Sequence, residues 1–249
     1  MMPPVVSLQL YTVREVAKRD LTGTLHALAD IGYEYVELAG LYDQTPSDLA
    51  RLLNEADLKV SGAHIPFESL RDNLLDVFQP YQELGAPEIT VPYLPEQARS
   101  TPDQWRETAS KLEMAADVAM QQGLEFSYHN HSFEFEAVGE QTGMSILVSE
   151  TERLLFQPDV YWVAVGGEDP VQFLRDLRGR VRSVHIKDRG ADGGDIEWGQ
   201  GNLPHAAILD TCAEIGVRTL VLEMDNPRMD PIESARLCYA KLIEMMTPS

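Results

Sequence analysis

Positive charge is scarce in this chain: its 249 residues carry 20 Lys and Arg against 40 Asp and Glu, a formal net charge of -20. Nucleic-acid binding rests on basic side chains that neutralise phosphates, so this balance argues against DNA or RNA as a partner and favours cations. A local basic pocket for one sugar phosphate stays open. Cysteine is nearly missing as well. The two present, Cys212 and Cys238, fall in predicted helices without metal-ligand spacing and read as reduced structural thiols. No apolar run approaches the roughly 18 residues of a membrane helix. The run from Val5 to Leu10 is too short for a signal segment, and Met1-Met2-Pro3-Pro4 before it has no basic residue. The expectation is a soluble, cytoplasmic protein with no membrane partner. Neither G-x-G-x-x-G nor a P-loop follows the first strand, which weakens the case for a nucleotide-binding open sheet. Linkers, low-complexity stretches and composition shifts are also lacking, so residues 1–249 are expected to form one domain.

What the chain does contain is a repeated phrase, a helical pattern closed by glycine and followed at once by a β-rich run. It occurs at Ala29-Asp30-Ile31-Gly32 before Tyr33, at Glu83-Leu84-Gly85, at Gln121-Gln122-Gly123 and at Glu214-Ile215-Gly216. Glycine just past a helix end takes the left-handed conformation that stops the helix. Helix starts repeat too. Thr45-Pro46, Thr101-Pro102, Asp169-Pro170 and Asp230-Pro231 each set a capping side chain before a proline in the first turn. Strands are predicted near 5–10, 34–38, 58–64, 87–91, 124–130, 154–159, 182–186 and 218–224, each followed by a helix-compatible stretch. Eight such β-then-α units, with 44% hydrophobic residues, predict a single (β/α)8 TIM barrel over a doubly wound sheet. The Gly- and Asp-rich segment Arg189 to Leu203, after the seventh strand, is read as a lid or substrate loop.

Barrels of this kind carry their chemistry at the carboxyl ends of the strands, and that is where four of the six histidines fall. These are His64, His129, His131 and His185. Strand six ends at Asp159, strand seven at His185-Ile186-Lys187-Asp188 and strand eight at Glu223-Met224-Asp225. Together with a strand-five histidine, Asp159, His185 and Glu223 form a mixed nitrogen and oxygen set. That set suits Mn, Mg, Co or Zn as a divalent metal ion rather than a thiolate-selected metal. His129 and His131 are two residues apart and so share one face of a strand, and either is a candidate metal ligand. The other is then a candidate for substrate binding or proton transfer. His64 reads equally as a substrate contact or as a buried imidazole closing strand three. Glu37, a carboxylate inside an apolar strand, needs a partner if buried, which is either substrate and its neighbours or a salt bridge inside the barrel. Glu134 is a candidate to orient the strand-five histidines, and Trp162 offers a face for a sugar ring or simple packing. Lys187 is a candidate to stabilise an anionic oxygen. His26 and His205, in predicted helices, read as ordinary surface or packing residues.

These phrases resemble the sugar phosphate isomerase/epimerase family with the xylose-isomerase-like barrel. The similarity runs over nearly the whole chain, through Leu8-Gln9-Leu10-Tyr11, Tyr128-His129-Asn130-His131-Ser132-Phe133-Glu134-Phe135, Asp159-Val160-Tyr161-Trp162 and His185-Ile186-Lys187-Asp188. The resemblance implies a divalent metal held by Asp159, His185 and Glu223. Relatives add a catalytic glutamate from strand five, and here the matching region has His129 and His131 with no carboxylate. The implied activity is a metal-dependent isomerase or epimerase acting on a ketose, sugar phosphate or related polyol through an enediolate. His129, His131, Glu223 and Lys187 are then the candidate catalytic residues. A lyase or dehydratase acting on a keto-sugar or keto-glycoside is the alternative outcome of the same intermediate. A non-catalytic sugar-binding barrel is a second alternative. A DNA-repair endonuclease is disfavoured by the charge and the small ligand set. The expected partner is a small-molecule carbohydrate, with a homo-oligomer possible.

Overall fold

The short strands of the chain alternate apolar and polar residues between two different interiors. The computed structural model describes residues 3–247. Eight barrel strands run β1 Val5–Gln9, β2 Tyr35–Leu38, β3 Lys59–His64, β4 Glu88–Val91, β5 Glu125–His129, β6 Leu155–Gln157, β7 Ser183–Ile186 and β8 Thr219–Leu222. They pair in parallel in the order β6-β5-β4-β3-β2-β1-β8-β7. Single bridges, Phe156 to Val181 and Asp159 to His185, bring β6 against β7 and close the circle. This is the (β/α)8 barrel that the alternating units predict.

Helices follow the strands: α1 Leu21–Ile31, α2 Pro46–Glu55, α3 Leu74–Glu83, α4 Pro102–Gln121, α5 Gly143–Glu150, α6 Val160–Val165, α7 Pro170–Asp176, α8 His205–Ile215 and α9 Pro231–Met246. The predicted starts are where the sequence puts them. Thr45, Thr101, Asp169 and Asp230 accept backbone N–H groups of the first turn, and Thr101 with Gln104 completes a reciprocal capping pair. Gly32 and Gly216 end α1 and α8 with φ of 118° and 82°.

Period-two alternation decides what each face does. Leu8, Val36, Leu38, Ile89, Val91, Phe126, Tyr128, Phe156, Val184, Ile186, Leu220 and Leu222 pack outward against the helices as one buried cluster. The barrel interior is instead largely polar. Ser7 bonds Ser61 across 2.7 Å, Thr90 bonds Ser127 across 2.7 Å, and Gln157 donates to Ser183, which donates to Glu88. Buried polar groups are tolerated only when paired, so this network holds the strand ends in fixed register.

Two expectations, the end of strand six and the setting of His205, need adjustment. Strand six stops at Gln157, because Asp159 already caps α6. Two small hairpins were not legible, one pairing Ala137–Val138 with Gln141–Thr142 and one pairing Asp188–Arg189 with Asp195–Ile196. His205 is not an ordinary helix residue: its Nε2 lies 2.6 Å from Asp188 Oδ2, while His26 is exposed as expected. Cys212 and Cys238 are buried and unbridged. Among the described residues no helix is long and apolar enough to cross a membrane.

Candidate active site

The carboxyl ends of β5 to β8 converge on four buried residues, His129, Asp159, His185 and Glu223. Each offers one ligand atom, and those atoms all lie within 4.8 Å of one another. The local chain explains why. Asp159 accepts the Tyr161 and Trp162 N–H groups through Oδ1 at 2.9 and 3.0 Å, so the α6 cap commits one oxygen. Its other oxygen, Oδ2, is buried and without a hydrogen-bond partner, although an ion pair puts Lys187 Nζ 3.1 Å away. His185 stands between two carboxylates, with Nε2 2.8 Å from Glu37 Oε2 and Nδ1 2.9 Å from Glu223 Oε2.

Deeper in the barrel, Glu37 is the hub. Its oxygens also accept from Gln9 Nε2 and Gln157 Nε2, both at 2.7 Å, and His64 Nε2 lies at 3.1 Å. His64 Nδ1 faces the Gln9 amide at 3.2 Å and its Nε2 faces Gln157 Oε1 at 2.8 Å. A donating Gln9 amide assigns the ring hydrogen to Nε2. Glu37, His64 and His185 also stand close enough to form a second ligand cluster. Glu37 and His64 are already partnered by glutamines and His185 by Glu37 and Glu223, whereas Asp159 Oδ2 and His129 Nδ1 have no hydrogen-bond partner.

Titration follows from this crowding. Burial opposes charge on His185, but Glu37 and Glu223 outweigh it and lift its pKa to about 10. For Glu37, burial would raise the pKa, and His64 and His185 instead hold it far below the usual carboxylate range. Glu223 is likewise held low against burial by Lys187 and His185. Asp159 is pushed up by burial despite Lys187. Burial and the neighbouring Glu223 raise Asp225 to about 6, even though Lys187 pulls it down. The Lys187 ammonium is fully buried and is held charged by Asp159, Glu223 and Asp225 against the cost of burial. Four carboxyl groups, Glu37, Asp159, Glu223 and Asp225, thus crowd around His185 and Lys187. This concentration of carboxylates, with an Asp159 Oδ2 that accepts no hydrogen bond and a His129 Nδ1 that has no partner, fits a divalent cation held by nitrogen and oxygen ligands.

The two strand-five imidazoles separate. His129 is in the ligand cluster, its ring 4.5 Å from that of His185. His131 lies beyond the strand end among Phe133, Tyr93 and Trp162, with ring centroids 5.6, 5.6 and 5.3 Å away. Burial and then the neighbouring cations keep both rings uncharged, with His131 lowered to about 4 and His129 far below its ordinary value. Glu134 is buried, accepting from the Tyr128 hydroxyl at 2.5 Å and from the His131 backbone N–H at 2.8 Å. It therefore holds the backbone of the loop that carries His131. Burial raises its pKa to about 7. Trp162, half-buried, flanks Lys187 at 5.7 Å as well as His131. Gln9, Gln157, Asn130 and Asp225 complete the site and were not singled out in the sequence. Their only advance signal was a polar side chain at a strand end.

A cavity of about 830 Å³ opens at the opposite end of the barrel, lined by Val5, Glu88, Glu125, Arg182 and Arg218 among others. Its two arginines are already committed to Glu125 at 2.9 and 3.2 Å, and it has none of the metal-ligand chemistry.

Residues 25–246 match the xylose isomerase-like TIM barrel family. The chain belongs to that family. The inosose dehydratase of Geobacillus kaustophilus is 24% identical over 186 residues, which are 66% of this chain and 60% of that relative. A sugar phosphate isomerase/epimerase from Parabacteroides distasonis superposes with a TM-score of 0.87 at 21% identity, covering 100% of this chain and 96% of that one. A protein named IOLI, solved with a zinc atom, superposes with a TM-score of 0.77 at 15% identity, covering 97% of each chain. The chain thus spans about three fifths of the length of that inosose dehydratase, and the site chemistry is compatible with a divalent metal.

Proposed function

We propose that the chain is a divalent-metal-dependent lyase that removes water from a keto-polyol or keto-sugar after taking the proton next to its carbonyl. The observation that carries this reading is the carboxyl end of β5, where His129 ends the strand and His131 follows it, with imidazoles where a second carboxylate base would stand. His129, Asp159, His185 and Glu223 are the groups that would hold the ion, of the Mn, Mg, Co or Zn class. Such an ion, when bound, would withdraw electrons from the substrate carbonyl and so acidify the neighbouring C–H.

The chain's own residues supply the rest. Glu37 holds the Nε2 side of His185, leaving Nδ1 on the side shared with Glu223. His131, kept uncharged, is the base that takes the proton at a ring nitrogen, and Glu134 fixes its backbone. As the C–H electron pair forms the new C=C bond, the C–O bond at the β carbon breaks. The Lys187 ammonium gives that oxygen its proton and water departs; solvent then removes the proton from His131 and restores the one on Lys187. Trp162 and His64 bound the space for the substrate ring. The relatives named inosose dehydratase support elimination over proton return.

Isomerisation or epimerisation is the second reading, favoured by one observation: His131 Nδ1 is buried without a partner, so a proton taken there is shielded from solvent and can go back to carbon. The test is NMR of the Mn²⁺-loaded protein with a panel of inososes and ketoses in D₂O. Metal-dependent loss of water to an unsaturated ketone supports the lyase. Deuterium incorporation with an isomeric product and no loss of water contradicts it.

A further inference from the structure

Lys187 is the one buried ammonium in contact with the ligand carboxylates among the described residues. Its Nζ lies 3.1 Å from Asp159 Oδ2 and 3.0 Å from Glu223 Oε2, and 2.7 Å from Asp225 Oδ2. Asp159 and Glu223 belong to the four-residue ligand cluster and Asp225 does not. An ammonium and a divalent ion therefore share two of the same donor residues. Close like charges in a buried site repel strongly, and a carboxylate oxygen facing an ammonium is less available to a metal. The shortest contact is the one to Asp225, whose own backbone is fixed: its N–H donates to Asp195 Oδ2 at 2.9 Å and its carbonyl accepts from Arg14 at 2.9 Å.

We propose that Lys187 and Asp225 form a built-in cation competitor that sets the affinity of the metal site. Lys187 weakens divalent binding by standing against Asp159 and Glu223, and Asp225 limits that effect by drawing the ammonium to the edge of the cluster. The pair acts as a positioning device, since Asp225 reaches the metal ligands only through Lys187. This inference rests on the metal reading above and deepens it: the site is built to exchange its ion rather than to lock it in.

The test is a set of Mn²⁺ dissociation constants, measured by competition with a fluorescent chelator, for wild type, Lys187→Met, Asp225→Asn and the double variant. Removing the ammonium should tighten Mn²⁺ binding by about tenfold or more, and Asp225→Asn should weaken it by about tenfold. In the Lys187→Met background the Asp225→Asn step should change the constant by less than about threefold, because the coupling is gone. A lysine that only packs or only holds the fold would make both single variants weaker binders, and that result overturns the proposal. If Lys187→Met does not fold, Asp225→Asn alone decides: an unchanged constant overturns the competitor. A wild type that binds no Mn²⁺ overturns the metal reading itself, whereas a wild type that binds it more tightly than Lys187→Met overturns only this inference.

Discussion

Glu37 is the residue on which most of the site leans, because it pairs with His185, His64, Gln9 and Gln157 at once. A group that orients a ligand from behind typically changes metal affinity by about 10–100-fold when lost. Glu37→Gln should therefore weaken Mn²⁺ binding within that range while the chain stays folded, as read by titration and circular dichroism. An unchanged affinity would show that His185 needs no support. Glu88, at the other end of the barrel, gives a pH test away from the site. Burial raises its pKa to about 7, and Oε1 has no partner. The folded state holds its proton more tightly than the unfolded chain does, so its contribution is full below about pH 4.5 and is lost as pH rises to about 7. Glu88→Gln removes that loss. The variant should gain stability relative to wild type between pH 5 and 8, by about 3 kcal/mol at most, and equal pH profiles in thermal melts would refute the assignment. Asp159, His185 and Glu223 were legible in the sequence because ligand-type side chains stood at three successive strand ends. Gln9 and Gln157 were not, since an uncharged amide carries no spacing signal and Gln157 meets Glu37 across 120 residues of chain.

Helix and loop elements hold these residues through close approaches that composition does not reveal. Gly143 opens α5, and a Cβ there would lie only 2.2 Å from Cζ2 of the buried Trp105. Alanine gains at most about 1 kcal/mol of helix propensity, whereas overpacking a core costs about 1–3 kcal/mol. Gly143→Ala should accordingly lower stability in chemical denaturation, and a gain would mean the Trp105 side chain moves freely. Asp188 staples the loop after β7, accepting the N–H groups of Gly199, Gly201 and Leu203 at 2.9, 2.8 and 3.3 Å and facing His205. Asp188→Asn should speed hydrogen exchange across 190–203 by at least about tenfold, with α4 unaffected. The sequence pointed to this loop by its Gly and Asp content but gave no partner for it, because the staple joins Asp188 to residues as far off as His205. The resolution of His129 from His131 belongs to this scale also. Their spacing placed both on one face, and it is the end of β5 at His129 that sends His131 into the aromatic loop.

At the scale of the whole molecule, the barrel was legible because capping residues, closing glycines and short apolar strands repeat in phase, and each repeat constrains the next. Its polar interior was not legible, since alternating Ser, Thr and Gln residues on short strands look the same whether they face water or one another. The net charge of -20 favours the approach of a cation, and a bound ion stabilises the folded state by mass action. At 100 times its dissociation constant a divalent ion contributes about 2.7 kcal/mol, a rise in melting temperature of about 5–10 °C for a chain of this size. Chelator should reverse that shift. The most direct measurement is Mn²⁺ binding to chelator-stripped protein by isothermal titration calorimetry, beside a His185→Ala, Glu223→Ala double variant shown to be folded. The account predicts one saturable, exchangeable site per chain in the wild type and none in the variant. No binding by the wild type, or equal binding by both proteins, would contradict it.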